Sequence, residues 1–163
     1  MAGGAEFLDF AEAREKARSF LPRALFDYID RGTEAEDAIA ALHRGFQAKR
    51  IVPHVLRPVA SPALSTSYLG HDHSCPFVIA PTALAGMVRY NGEVVMARAA
   101  QAAGLPFVVA TQSSTSIEQI SDGAPGSELW FQLYVWNDRN ETWKLLERAK
   151  SCGVETLVLT VDT

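Results

Sequence analysis

Residues 128–162 read ELWFQLYVWNDRNETWKLLERAKSCGVETLVLTVD and decide the fold class. Two short apolar runs flank a polar segment in which Trp143, Leu146 and Ala149 recur at helical spacing, and Gly153 follows that segment. Strands of a parallel sheet that helices cover read as short, continuous apolar runs of this kind. The stretch therefore predicts a strand, a helix over 137–153, and a second strand beside the first.

The same order of segments occurs upstream. Apolar runs stand at 76–82 (PFVIAPT) and 106–112 (PFVVATQ), and the helical pattern GEVVMARAAQAAG lies between them. Ser116 and Gln119 then have the spacing of a capping box at the start of another helix. Four apolar runs that alternate with helices predict an α/β fold, either an open doubly wound sheet or a (β/α)8 barrel. No GxGxxG follows the first run, so a dinucleotide-binding open sheet loses its main support.

Side-chain alternation favours the barrel. In each of the last two runs one face is wholly apolar, and the other becomes polar toward its carboxyl end, through Gln132 and Tyr134 in one and Thr160 and Asp162 in the other. The strands of a TIM barrel are packed below and carry functional groups at their carboxyl ends. We therefore expect a (β/α)8 TIM barrel of which this chain holds the N-terminal helices and the first four strands.

We expect residues 1–163 to form the N-terminal part of a single barrel domain. Residues 1–50 predict a helical lead-in, and 76–163 predict strands 1–4 with their helices. The proline-rich segment 51–75 predicts a connector with short edge strands. Its His71-Asp72-His73 triplet has no evident third metal ligand, so we interpret it as a solvated turn and expect no metal site.

Amino-acid composition, net charge and the length of the apolar runs argue against several classes of protein. Of 163 residues 48% are hydrophobic and 21% charged, and the net charge is −4 with no basic stripe, which argues for a globular protein and against nucleic acid as a partner. No apolar run approaches the roughly 20 residues of a membrane span, and the start lacks an apolar signal core. Cys75 and Cys152 have no metal or redox spacing. We therefore expect a cytoplasmic protein with two reduced thiols and no membrane association in this segment.

The predicted strand ends collect a set of residues that is rich in polar side chains and nearly free of charge. Two residues come from each end: Pro81 and Thr82, Thr111 and Gln112, Gln132 and Tyr134, Thr160 and Asp162. Amides and hydroxyls that both donate and accept suit the planar polar edge of a flavin or nucleobase. The alternative is that the threonines and glutamines only satisfy buried backbone groups. Asp162, the one charged member, could orient a histidine base or bind a metal, although all four histidines precede the first run.

Five segments together resemble the FMN-dependent α-hydroxy-acid oxidases and dehydrogenases. They are LPRALFDYIDRGTEAE, APTALAG, LWFQLYV, NDRN and LVLTVDT, and they occur in the family's order over essentially the whole chain. The resemblance implies a (β/α)8 barrel with FMN across its top and a small L-2-hydroxy acid, of lactate, glycolate or mandelate type, as substrate. It also implies a homo-oligomer, a tetramer, for a full-length enzyme.

The resemblance implies roles for nine residues. Pro81, Thr82 and Ala83 would line the flavin with their backbone, and Ala110 would do the same where many members have a serine. Gln132 and Thr160 would hydrogen-bond the pyrimidine side of the ring. Tyr134 would meet the substrate hydroxyl and Tyr28 its carboxylate. Asp162 would pair with a histidine that takes the hydroxyl proton while hydride passes to flavin N5.

In the family, the base histidine, a flavin-steadying lysine, the substrate arginines and the phosphate-binding loops follow the position of Thr163. We therefore expect this chain to be the N-terminal half of such an enzyme, to bind little FMN and to be inactive alone. The alternative is a non-catalytic half-barrel subunit or a degenerate flavin-binding protein.

Overall fold

The computed structural model describes residues 7–56 and 61–162, which form two compact units divided at residue 60. The first unit holds three helices: α1 (Phe10–Phe20), α2 (Arg23–Asp30) and α3 (Asp37–Gln47). The Asp9 side chain accepts a hydrogen bond from the Glu12 amide and caps α1. Arg14 of α1 binds Asp30 of α2 with both side-chain contacts at 2.5–2.6 Å. The predicted helical lead-in is thus observed.

The second unit opens with a hairpin in the predicted connector. β1 (Thr66–Tyr68) pairs antiparallel with β2 (His71–His73). The two residues between them, Leu69 and Gly70, both have positive φ, at 50° and 83°. Two such residues form the type I′ turn that matches the twist of paired strands. Short strands in this segment agree with the sequence prediction.

His73 corrects the interpretation of 71–73 as a solvated turn. It is 4% exposed, and its ring stacks on Tyr68 with 3.8 Å between centroids. Its Nδ1 lies 3.5 Å from a carboxylate oxygen of Glu128. The hairpin register places alternate residues on opposite faces, so His73 turns inward while Asp72 stays exposed.

The remaining elements of the described residues are four helices and three strands, which alternate from α5 onward. They are, in chain order, α4 (Ala85–Val88), α5 (Gly92–Ala103), β3 (Phe107–Val109), α6 (Ile117–Gly123), β4 (Leu129–Leu133), α7 (Arg139–Ser151) and β5 (Thr156–Leu159). The three strands form a parallel sheet in sequence order, with Phe107 opposite Leu129 and Trp130 opposite Thr156. The sequence did not predict α4.

The prediction of a full first barrel strand over 76–82 is wrong, because the pairing there is much shorter. Within 76–82 a single residue, Ile79, makes a parallel bridge to Phe107. The Ile79 amide donates to the Pro106 carbonyl, and its carbonyl accepts from the Val108 amide. Pro76 and Pro81 lack an amide proton, which limits how far this run can extend a hydrogen-bonded ladder. The described residues therefore contain three parallel strands and one bridge instead of four strands.

The core lies between the sheet and helices α5, α6 and α7. Phe107 and Phe131 from the strands pack with Ala97 of α5, Ile120 of α6 and Ala149 of α7, and all five are at most 2% exposed. The predicted helix-facing side of β4 is thus confirmed. The same side of β5 remains open, with Leu157 51% and Leu159 56% exposed.

The predicted capping box begins α6. The Gln119 amide donates to Ser116 Oγ, and the Ser116 amide donates to Gln119 Oε1, each at 3.2 Å. This reciprocal pair satisfies two amides that a helix start leaves without an internal partner. It fixes the point where the chain leaves β3 and turns back over the core.

Candidate functional site

The carboxyl ends of the three strands and the segment after Ile79 surround a cavity of about 230 Å³. Seven residues line it, and none of them is an Asp, Glu, Lys, Arg or His: Pro81, Ala83, Ala110, Gln112, Gln132, Tyr134 and Thr160. The parallel arrangement brings these residues together because all three strands end at the same edge of the sheet. Five of the seven were predicted as strand-end residues, and the resemblance implied Ala83 and Ala110, so the sequence located this cavity.

Gln132 holds the ends of the strands together. It is 3% exposed, and its Nε2 donates to Thr160 Oγ1 at 2.7 Å, which links β4 to the residue after β5. Its Oε1 accepts from the Thr111 amide at 3.0 Å, which links β4 to the end of β3. One side-chain amide therefore bridges three consecutive strand ends.

Thr111 closes the network from the other side. Its Oγ1 donates to the Gln132 carbonyl at 2.6 Å and accepts from the Tyr134 amide at 3.1 Å. The threonine hydroxyl thus replaces ladder hydrogen bonds where β3 ends and β4 continues. Thr111 and Gln132 therefore bind backbone groups, as predicted by the alternative interpretation that the strand-end threonines and glutamines satisfy the backbone.

The network leaves capacity for a ligand. A glutamine amide has two Nε2 protons and two acceptor positions on Oε1, and each atom uses one of them here. Gln132 can therefore still offer one donor and one acceptor to the cavity, beside the Thr160 hydroxyl. A planar ring whose edge alternates carbonyl and N–H groups is complementary to this pair, so the residues present fit the pyrimidine edge of FMN.

Three of the predicted site residues do not line the cavity. Thr82 is exposed, and its hydroxyl lies 3.5 Å from the Ala80 carbonyl. Asp162 is exposed three residues beyond the end of β5. Tyr28 lies on α2 in the first unit and is 73% exposed. The geometry of the second unit alone does not show the roles expected for Thr82, Asp162 and Tyr28.

Sequence reasoning missed Glu93, in the first turn of α5. It is 1% exposed, and its carboxylate accepts from the Ser114 amide at 2.9 Å, from Ser114 Oγ at 2.5 Å and from Thr115 Oγ1 at 2.8 Å. Burial by itself raises the pKa of Glu93, but the hydrogen bonds from Ser114, its own backbone and Thr115 outweigh burial and lower the pKa to about 2. The only local signal was an acidic residue in a first helical turn, which is too common to indicate a buried site.

A larger groove of about 520 Å³ lies between α7 and β5, away from the strand ends. Trp143, Leu146 and Leu157 form its apolar part, and Lys150 and Glu155 form its charged part. It brings together no group of polar side chains comparable to the Gln132 network. We therefore take the smaller cavity as the candidate site.

The described residues offer neither a clustered metal site nor a membrane-crossing helix. Within 7–56 and 61–162, no group of three or more His, Cys, Asp or Glu side chains is arranged to hold a metal ion. No helix in those ranges is both long and apolar enough to cross a bilayer.

The sequence matches the profile of the family "FMN-dependent dehydrogenase" over residues 17–163. It is 40% identical over 152 residues to an L-lactate dehydrogenase of Pseudomonas syringae, covering 93% of this chain and 40% of that protein. It is 34% identical over 149 residues to human 2-hydroxyacid oxidase 1, covering 91% of this chain and 40% of that protein. The chain therefore spans less than half the length of these relatives.

The fold shows the same similarity. The structure superposes with a TM-score of 0.91, at 35% identity, on a soluble mutant of the membrane-associated (S)-mandelate dehydrogenase from Pseudomonas putida. The superposition covers 97% of this chain and 45% of that one. Sequence and structure thus agree on the region that is shared.

Proposed function

Because the chain belongs to the family of FMN-dependent hydroxy-acid oxidases and dehydrogenases, whose cofactor is FMN, we propose that it forms the first part of a (β/α)8 barrel that oxidises a small L-2-hydroxy acid to the 2-oxo acid. The observation that carries the proposal is the Gln132 amide, buried at the strand ends with one donor and one acceptor position unused. The match to residues 17–163 and the uncharged cavity support it.

The cavity residues would hold the ring of FMN. Gln132 and Thr160 would bind its pyrimidine edge, and the backbone of Pro81, Ala83 and Ala110 would face the ring. The cavity is smaller than the roughly 300 Å³ of an ordinary small-molecule site, so these residues would form one wall of a larger pocket. Bound FMN would supply the acceptor for the hydride that leaves the substrate's α-carbon.

Tyr134 is the cavity residue best suited to contact the substrate. It follows β4 directly and is half-buried, and its amide is fixed by Thr111 Oγ1, so the start of its side chain is held in place. Its phenol can donate to or accept from the substrate hydroxyl. Tyr28 as a contact for the substrate carboxylate, Thr82 as a flavin-lining residue and Asp162 as the partner of a base histidine remain sequence-based proposals.

A second function, flavin binding without turnover, is favoured by one observation. Among the seven described residues that line the cavity, none is a His, Asp, Glu or Lys, the side chains that most often act as general bases. In that case the chain would contribute flavin contacts as a half-barrel subunit or as a degenerate flavin-binding protein. The half that supplies a base would then belong to another polypeptide, or be absent.

The test uses the complete product of the gene. It is purified without added flavin, titrated with FMN and then mixed anaerobically with L-lactate, glycolate or (S)-mandelate. The proposed oxidation predicts saturable FMN binding and bleaching of the visible flavin absorption by at least one of the three acids. Binding without bleaching would favour the second function, and absence of FMN binding would refute both.

A further inference from the structure

Glu93 is a buried carboxylate that the proposed function does not use. It does not line the cavity, and within the described residues no Lys or Arg forms an ion pair with it. A buried charge without an opposite charge is costly unless hydrogen bonds compensate it. The groups that donate hydrogen bonds to the Glu93 carboxylate therefore show which segments of the chain it holds in place.

Apart from the backbone of Glu93 itself, every group that donates a hydrogen bond to the carboxylate comes from one of two segments. The Ser114 amide, Ser114 Oγ and Thr115 Oγ1 come from the segment after β3, and the Gly86 amide, at 3.4 Å, comes from the segment after Ile79. The Gly86 amide also donates to Ser114 Oγ at 2.9 Å. The hydrogen bonds thus run in one direction, from Gly86 through the Ser114 hydroxyl to Glu93.

These two segments, 81–86 and 110–115, form the rim of the candidate cavity. They contribute Pro81, Ala83, Ala110 and Gln112 to its lining. The Leu84 amide donates to the Gln112 carbonyl at 3.3 Å and joins the two rim segments on the side nearer the cavity. Glu93 joins them a second time, farther along each segment.

The atoms around the Glu93 hydrogen bonds are packed closely at two glycines, where an added Cβ would overlap a neighbouring oxygen. A Cβ added at Gly86 would come within 2.5 Å of Ser114 Oγ. A Cβ added at Gly92, next to Glu93, would come within 2.6 Å of the Ala85 carbonyl oxygen. Both distances are far shorter than any normal carbon–oxygen contact, so both glycines are required where the start of α5 meets the rim.

We propose that Glu93 is a positioning residue, which fixes rim segments 81–86 and 110–115 against each other and so sets the backbone that faces the flavin ring. The identity of that ligand rests on the proposed function. Glu93 acts without touching FMN or substrate. A carboxylate is required because all of its partners are donors, whereas an amide at this position would turn an NH₂ group toward at least one of them.

The test replaces the carboxylate by its isosteric amide in the complete gene product. In Glu93→Gln we expect faster amide hydrogen exchange in both rim segments. We also expect the Kd for FMN to rise about tenfold, the lower end of the range observed when the hydrogen-bond partners of metal ligands are removed. The matched control is Ile120→Val, which loosens the core at a fully buried position outside the rim and the cavity. The control should change global stability without selective exchange in the rim.

Two milder variants cover the case in which Glu93→Gln does not fold. Ser114→Ala removes the hydroxyl that stands between Gly86 and Glu93, and Thr115→Val removes one donor with almost no change of shape. Ser114→Ala should loosen both rim segments, and Thr115→Val should loosen 110–115 more than 81–86. Equal loosening by the Ile120→Val control would overturn the proposal.

The outcomes separate this inference from the proposed function. Rim loosening with unchanged FMN affinity overturns the positioning role, as does unchanged exchange in the rim. If the unsubstituted protein binds no FMN, the proposed function fails, and the inference is then judged on exchange alone. Selective loosening of both segments supports it, and any other exchange pattern overturns it.

Discussion

Gln132 Nε2 lies 2.7 Å from Thr160 Oγ1, so a side-chain hydrogen bond joins neighbouring parallel strands just where their backbone ladder ends. Replacing Gln132 by Leu keeps the volume and removes both polar atoms. The Thr111 amide then loses its partner, and leaving this partly buried donor unsatisfied costs up to about 1–3 kcal/mol. We expect Gln132→Leu to lower the free energy of unfolding by that amount in urea denaturation and to abolish saturable FMN binding.

The matched control for this variant is Gln101→Leu. Gln101 is exposed on α5 and donates to the Pro125 carbonyl, and it does not line the cavity. Its replacement should leave FMN affinity unchanged. Equal loss of affinity in both variants would show that Gln132 acts through general stability and not as a contact of the ring.

Glu93 should make the protein sensitive to acid. Its pKa is about 2 in the folded state against an ordinary value of 4.5, so its contribution is complete above pH 4.5 and is lost as the pH falls toward 2. The folded and ordinary values differ by about 2.5, so at about 1.4 kcal/mol per pKa unit this contribution is at most about 3.5 kcal/mol. Glu93→Gln should therefore flatten the fall in unfolding free energy between pH 4.5 and 2.

Glu118 provides the comparison for this experiment. Hydrogen bonds from Arg148 lower the pKa of Glu118 to about 2 as well, but the pair is exposed, with about half of each side chain accessible to solvent. Exposed pairs contribute about 1 kcal/mol or less and are screened by salt. Glu118→Gln should have the smaller effect, and that effect should shrink in high salt, whereas the effect of Glu93→Gln should persist. Equal salt sensitivity of the two would contradict the burial of Glu93.

Two glycines should respond in opposite directions to alanine. A Cβ at Gly92 would meet the Ala85 carbonyl oxygen at 2.6 Å, and a Cβ at Gly45, within α3, would meet nothing within 4 Å. Gly92→Ala should destabilise by about 1–3 kcal/mol through overpacking. Gly45→Ala should stabilise by up to about 1 kcal/mol through helix propensity. Differential scanning calorimetry of both variants checks the two signs, and stabilisation by Gly92→Ala would show that α5 can move away from α4.

His73 should tolerate an apolar replacement. Its Nε2 is buried without a hydrogen-bond partner among the described residues, and Glu128 keeps a hydrogen bond to Trp130 Nε1 at 2.9 Å if the histidine is removed. A buried polar atom without a partner costs about 1–3 kcal/mol, and replacing His73 by an apolar residue removes that cost. We expect His73→Leu to change the thermal midpoint by no more than a few degrees. A loss larger than about 2 kcal/mol would mean that the Nδ1 contact to Glu128 outweighs the unsatisfied Nε2.

The sequence predicted the features that depend on neighbouring residues. Strand faces follow from alternation, so the pattern of apolar and polar residues was enough to place Gln132 and Thr160 at one edge of the sheet. The capping box at Ser116 and Gln119 needs only a spacing of three. Helix and strand order follow from the periods of the apolar residues, and these were observed from α5 to β5.

Other features depend on residues far apart in the chain. Glu93 binds Ser114 and Thr115, more than twenty positions away, and nothing in either local sequence indicates the other. The burial of His73 depends on the hairpin register and on Glu128. The short pairing of 76–82 depends on where its prolines fall in the ladder, which apolar composition alone does not reveal.

The in-order pairing of β3, β4 and β5 has a consequence for how the chain folds. The crossover from β3 to β4 spans residues 110–128 and the one from β4 to β5 spans 134–155, so each strand pairs with a near neighbour in the chain and the sheet can grow in the order of synthesis. During such growth each newly added strand has a free edge until the next strand pairs with it. Vectorial growth of this kind makes the latest strand the one most prone to association with another molecule, and a chaperone that binds apolar strand edges would find its target there.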